Sequence, residues 1–227
     1  MDVQLHFVEK GCGEVLILLH GNGEDSSYFA HQIEYFSQRY RVIALDTRGH
    51  GASPRGKGPF TIRRFAEDLL NFMDEREITA AHLLGFSDGG NIALCFALAH
   101  PERVKRLILN GANLHAQGVK PTVQLPIEIG YRIARLFAKR DPKAKRKEEL
   151  LGLMVNDPNI DPAELSKLTM PVLVIAGTRD MIREEHTRLI AKEIPNGQLV
   201  LLPGDHFIAN KEPAAFNEAV ERFLRGL

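Results

Sequence analysis

Short runs of apolar residues, each ending near Gly, Asp, Asn or Pro, constrain the fold of this chain more than any other feature. They lie at Val15–Leu19, Val42–Leu45, His82–Leu84, Leu107–Leu109, Val172–Ala176 and Leu199–Leu202. Amphipathic stretches separate them, at Ile62–Glu75, Asn91–Ala99, Glu184–Ile194 and Pro213–Leu224. A strand that is apolar throughout is covered on both faces, and a parallel neighbour requires a crossover long enough to hold a helix. The pattern predicts an α/β fold: a mostly parallel central sheet with helices on both faces. Gln4–Glu9 alternates instead, and is expected to pair antiparallel at one edge. A length of 227 residues suits a single domain, residues 1–227, with a sizeable core.

The rhythm breaks between Leu114 and Leu165. No strand pattern occurs there, and helical patterns run over Leu125–Ala138 and Lys143–Val155. A structureless loop of that length is uncommon, so a helical cap inserted in the core, residues 114–165, is expected. Its apolar positions Leu125, Ile129, Ile133, Leu136 and Phe137 are expected to be buried against the C-terminal edge of the sheet, where ligands bind in open α/β folds. The segment would then govern entry rather than chemistry. Nine Lys/Arg stand between Lys120 and Lys147 against Glu128 and Asp141, an excess of seven positive charges. The whole chain is neutral, with 29 basic and 29 acidic residues, so the remainder carries about seven net negative charges.

That neutrality argues against a nucleic-acid partner, and a basic run on helices is ordinarily a solvated face. Met1–Lys10 mixes charged with apolar residues and does not read as a signal peptide. The longest apolar runs are too short to span a bilayer, so no membrane partner is expected. Cys12 and Cys95 are the only cysteines. They exclude a four-cysteine zinc site and make a designed disulfide improbable, which points to a reduced, cytoplasmic protein.

The chemistry concentrates in Gly85-Phe86-Ser87-Asp88-Gly89, a G-x-S-x-G sequence placed after one apolar run and before a helical pattern. A sharp strand-to-helix turn needs small residues at its flanks and holds the Ser87 hydroxyl outward at a helix N-terminus, where developing negative charge is favoured. A serine needs a base. His206, in Pro203-Gly204-Asp205-His206-Phe207, follows the last strand candidate, and Asp180 ends the segment after Val172–Ala176. Ser87, Asp180 and His206 give the chain order of one convergent triad class. Asp205 adjoins His206 and is poorly placed to orient its ring. His186 is expected at a solvated helical position.

Acyl transfer also requires donors for the oxyanion. The backbone N–H of Asn22, in His20-Gly21-Asn22-Gly23, and that of Asp88 are the candidates. Asp46-Thr47-Arg48-Gly49-His50-Gly51-Ala52-Ser53 lacks the phosphate-loop pattern and reads as a structured turn with its polar groups bonded locally.

These segments together resemble the α/β-hydrolase fold superfamily, close to small cap-bearing carboxylesterases, acyl-ester hydrolases and C–C bond hydrolases. The resemblance extends over nearly all the chain. It implies a serine hydrolase without cofactor or metal, acting on a carboxylic ester of a small or medium-sized substrate through Ser87, His206 and Asp180. A C–C bond hydrolase on the same triad, or a small-molecule receptor with slow turnover, are the alternatives. A haloalkane dehalogenase is excluded, because the nucleophile position holds Ser87 and the chain has no Trp. Asp88 departs from resembling hydrolases, many of which carry an uncharged residue there. Its carboxylate either bonds groups near the helix start or binds a cationic group of the substrate.

Overall fold

Residues 2–226 are described by a computed structural model, in which seven strands build one sheet in the order β1-β3-β2-β4-β5-β6-β7. The strands are β1 (Phe7–Lys10), β2 (Glu14–Leu19), β3 (Tyr40–Leu45), β4 (Ala81–Phe86), β5 (Val104–Asn110), β6 (Val172–Gly177) and β7 (Gly197–Leu202). All neighbours are parallel except β1, which runs antiparallel to β3 at the edge. The expected α/β architecture is the one observed.

The apolar runs are continuous because their alternate residues feed two separate layers. Ile17, Leu19, Ile43, Leu45 and Leu83 pack with α2 (Ile62–Glu75), α3 (Asp88–Ala99) and α6 (Glu184–Glu193). Leu16, Leu18, Val42, Ala44 and Leu84 pack on the opposite face with α1 (Ala30–Phe36) and α8 (Pro213–Leu224). α4 (Pro121–Phe137) and α5 (Pro142–Asn156) belong to neither layer, and a single turn, α7 (Ile208–Lys211), precedes α8. Parallel pairing puts the C-terminal ends of β2, β4, β5, β6 and β7 at one edge. The loops bearing His20, Ser87, Asp180 and His206 therefore emerge together.

The turn after β3 is held partly as expected and partly by distant groups. Asp46 accepts from Ser26 N and Ala52 N, and Ser53 Oγ donates to the Asp46 carbonyl at 2.6 Å. Arg48, however, is fully buried and reaches out of the turn, with Nε and Nη2 donating to Asp68 on α2 at 2.7 and 2.6 Å. Nη1 and Nη2 also donate to Asp2. Local bonding leaves a guanidinium unsatisfied, so the turn must recruit acids from two other segments.

α4 and α5 form an antiparallel hairpin between β5 and β6. Ile160 N donates to Leu114 O at 2.9 Å, so the insertion leaves and re-enters the core at one stem. α5 faces the core loops: Asn22 Nδ2 donates to Leu150 O at 2.8 Å, Arg146 donates to Gly49 O, and Glu149 pairs with Arg55. α4 packs chiefly on α5 and on the Ala116–Gly118 turn, with Gln124 and Ala134 on its buried side. The expected burial of its stripe does not occur. Leu125, Ile129, Ile133, Leu136 and Phe137 are 50–77% exposed, because the hairpin sets α5 against the core loops and none of the described residues lies above α4's outer face.

Removing one partner of the Arg48–Asp68 pair strands a buried charge, at a typical cost of about 3–5 kcal/mol. Asp68→Ala is expected to lose stability of that order in urea unfolding. A change below about 1 kcal/mol, as at an exposed pair, would show that the guanidinium finds another acceptor.

Candidate active site

Each glycine of the G-x-S-x-G turn answers to a close backbone approach. A Cβ on Gly85 would stand 2.2 Å from the Gly89 carbonyl oxygen, and one on Gly89 would stand 2.0 Å from the Leu19 carbonyl oxygen. Between them Ser87 adopts φ +54° and ψ −120°, a conformation that non-glycine residues rarely hold without support. The support comes from β5, whose Asn110 carbonyl accepts from Ser87 N at 2.8 Å.

The structure brings the three expected side chains together. Ser87 Oγ donates to His206 Nε2 at 3.0 Å, and His206 Nδ1 donates to Asp180 Oδ1 at 2.6 Å. His206 and Asp180 are both buried, and the Asp180 carboxylate is fixed further by Ile182 N at 2.9 Å. Asp205 turns away as expected. It accepts from Phe207 N and pairs with Lys211, which holds its carboxyl below the usual range.

The two residues expected to supply oxyanion donors are neighbours, joined by a bond from Asn22 Nδ2 to Asp88 Oδ2. Asp88 N belongs to the first turn of α3, where N–H groups have no intrahelical acceptor. The loop carrying Asn22 is shaped by His20, whose Nδ1 donates to Gly21 O at 2.7 Å and whose Nε2 accepts from Thr47 N at 3.0 Å. Burial lowers the His20 pKa, which keeps the ring in this neutral form.

Asp88 is 8% exposed. Asn22 Nδ2 donates to its Oδ2 at 2.8 Å and Asn91 Nδ2 to its Oδ1 at 3.4 Å. Burial pushes the carboxyl up to about 6, with the Asn22 bond pulling the other way. The single Asn22 side chain thus joins the loop after β2 to the elbow and, through Leu150 O, to α5.

Two residues escape sequence reasoning. Glu24 accepts from Gly21 N at 3.2 Å, and burial pushes its carboxyl up to about 7 against the pull of that bond and of His206. Its only sequence signal is a carboxylate close behind His20-Gly21. His186 is the second. Instead of a solvated position it is buried, its Nε2 accepts from Leu114 N at 3.0 Å, and burial lowers its pKa to about 4. The stem of the hairpin lies over that face of α6, which the helix pattern alone does not reveal.

Asp88 gives a signed pH dependence. Its folded pKa of about 6 exceeds the ordinary 3.8, so the folded protein binds the proton more tightly and loses stability as pH rises between those values. The loss approaches about 3 kcal/mol. Asp88→Asn should therefore gain on wild type by that order between pH 4 and pH 7 in parallel urea titrations. A constant difference would place the carboxylate in water.

Comparison with known proteins identifies the family. The family profile described as "alpha/beta hydrolase fold" matches residues 14–135. The chain is 30% identical to 3-oxoadipate enol-lactonase 2 of Acinetobacter baylyi, over 99% of this chain and 94% of that protein. That alignment runs over 251 positions, so at least 24 of them have no counterpart among the 227 residues here. A hydrolase from Pseudomonas aeruginosa superposes with a TM-score of 0.80 at 29% identity, over 98% of this chain and 94% of the other. The enol-lactonase from Burkholderia xenovorans LB400 gives 0.79 at 26%, over 98% and 97%. A profile covering more than half the sequence, a relative aligned from end to end and the observed sheet order agree: the chain belongs to the α/β-hydrolase fold family.

Proposed function

We propose that this protein is a serine hydrolase that cleaves a carboxylic ester of a small or medium-sized substrate through an acyl-enzyme. The observation that carries the reading is the continuous hydrogen-bond line from Ser87 Oγ through the His206 ring to Asp180. Hydrolase chemistry in the relatives supports it, and a lactone, the substrate class in two of their names, is a cyclic ester.

Ser87 Oγ attacks the ester carbonyl while His206 Nε2 takes its proton. Asp180 holds the Nδ1–H tautomer and stabilises the imidazolium that forms. The N–H groups of Asn22 and Asp88 receive the charge on the tetrahedral oxygen. Collapse expels the alcohol, which takes the proton from His206. Water then gives a proton to His206, attacks the acyl carbon, and releases the acid and Ser87.

In this scheme Asp88 is a positioning residue as well as a donor. Each of its carboxylate oxygens already receives an amide, which favours holding Asn22 over binding a cationic substrate group. α5 rather than the outer stripe of α4 shapes entry, since Leu150, Arg146 and Glu149 are the insertion's contacts with the core loops.

A fluorophosphonate should label the wild type at Ser87, and turnover of a p-nitrophenyl ester should fall by roughly four to six orders of magnitude in Ser87→Ala. Asp180→Asn should lose about 10⁴-fold, and Asp205→Asn little. Residual activity of Ser87→Ala within about tenfold of wild type, or Asp205→Asn worse than Asp180→Asn, sinks the assignment. Faster turnover of a diketone than of any ester would instead favour C–C bond cleavage. Labelling without turnover of either class would favour a receptor.

A further inference from the structure

Exposed large apolar side chains are scattered singly on ordinary protein surfaces. Here, among the described residues, five of the seven sit on one helix: Leu125, Ile129, Ile133, Leu136 and Phe137 on α4. Their spacing places them on one side, because residues three and four apart share a helix face. Arg132 and Arg135 are exposed beside the stripe, and Lys139 and Arg140 follow at its C-terminal end. None of these four makes an ion pair among the described residues, whereas Lys145 nearby is paired with Glu148. The apolar face is turned away from the body, with free cations along it.

We propose that the outer face of α4 docks on an anionic phospholipid surface, the apolar stripe entering the headgroup region while Arg132, Arg135, Lys139 and Arg140 meet lipid phosphates. An amphipathic helix with basic residues bordering its apolar face has the composition that binds such interfaces. The sequence expectation of no membrane partner rests on the length of apolar runs. It concerns spanning, and no helix of the described residues is long and apolar enough to cross a membrane. Lying on a surface is a separate mode.

A second copy of the chain fits the stripe less well. α4 has 17 residues, so it is about 25 Å long and about 10 Å across, which offers roughly 250–300 Å². A stable interface needs about 800 Å² from each partner. Two-fold pairing of α4 with α4 would also bring together two segments that each carry an excess of seven positive charges between residues 120 and 147. Anionic lipid removes that repulsion and turns the same charge into attraction.

Docking would reach the catalytic side of the molecule directly. Lys120, the residue before α4, donates from its backbone N to Met181 O at 2.9 Å and from Nζ to Asp180 O at 2.5 Å. Val119 and Ile182 form a β-bridge at the same place. The helix that would touch lipid therefore starts on the loop that carries Asp180.

The test is flotation of the full-length protein with vesicles of phosphatidylcholine alone or mixed with phosphatidylglycerol. Wild type should float with the mixed vesicles, and high salt should release it. It should remain behind with phosphatidylcholine alone. Partition should fall at least tenfold in Ile133→Ser/Leu136→Ser and in Arg132→Gln/Arg135→Gln. Circular dichroism and hydrolysis of a short soluble ester should be unchanged in both variants, which separates lost docking from lost fold. The readout needs no turnover, so it stands or falls independently of the proposed ester chemistry. Absence of flotation, equal binding to both vesicle types, or full binding by the variants overturns the proposal. So does a wild-type dimer in sedimentation that the Ile133→Ser/Leu136→Ser variant abolishes, since a second copy would then be the occupant.

Discussion

Everything at the C-terminal edge of the sheet depends on how closely the first turn of α3 is pressed against the end of β2. Gly89 lies beneath the carbonyls of Leu19 and His20, with no room for a Cβ. That contact brings the loop after β2 beside the turn after β4, so Asn22 and Asp88 become neighbours although 66 positions separate them. It also obliges the chain to turn sharply at Ser87. Bonds to β5 on one side and helix α3 on the other retain the positive φ, a case of strain held by surroundings that leave no alternative.

Charge is divided across the molecule in a way that overall neutrality conceals. Glu24 and Asp88 are withdrawn from water near the turn that carries Ser87, and burial weakens the acidity of both. The surplus of cations lies on the hairpin, on the outside. Amide groups rather than Lys or Arg satisfy the inner carboxylates: Gly21 N for Glu24, Asn22 and Asn91 for Asp88. A neutral donor stabilises a carboxylate less than a cation does, so these bonds only partly offset the effect of burial on both groups.

Much of this arrangement is legible in the sequence. The six apolar runs mark six of the seven strands, fully buried in the centre of the sheet and half-buried at the β7 edge, and the elbow is announced by two glycines that backbone contacts require. Chain order admits both Asp180 and Asp205, and adjacency separates them: Asp205 is the direct neighbour of His206 and is poorly placed to orient its ring. The failures share a cause. Periodicity reports that α4 has an apolar face, but which way that face turns depends on where the hairpin lies, a tertiary fact. His186 is missed because the stem that buries it comes from a segment 72 residues earlier. Arg48 looks local by sequence and is completed by Asp2 and Asp68, long-range partners that no motif records.

The bond between Leu114 and Ile160 closes the insertion on itself, so 45 residues depart from and return to one point on the core. Such a stem acts as a socket. The strands on either side are already fixed by β5–β6 pairing and do not depend on what the socket holds. A segment of another length or composition can enter there without re-pairing the strands, provided it remakes the bonds that Lys120 gives to Asp180 O and that Leu150 O receives from Asn22. The sheet can thus stay fixed while the cassette varies, with variation constrained only where the segment touches the loops at the sheet's C-terminal edge.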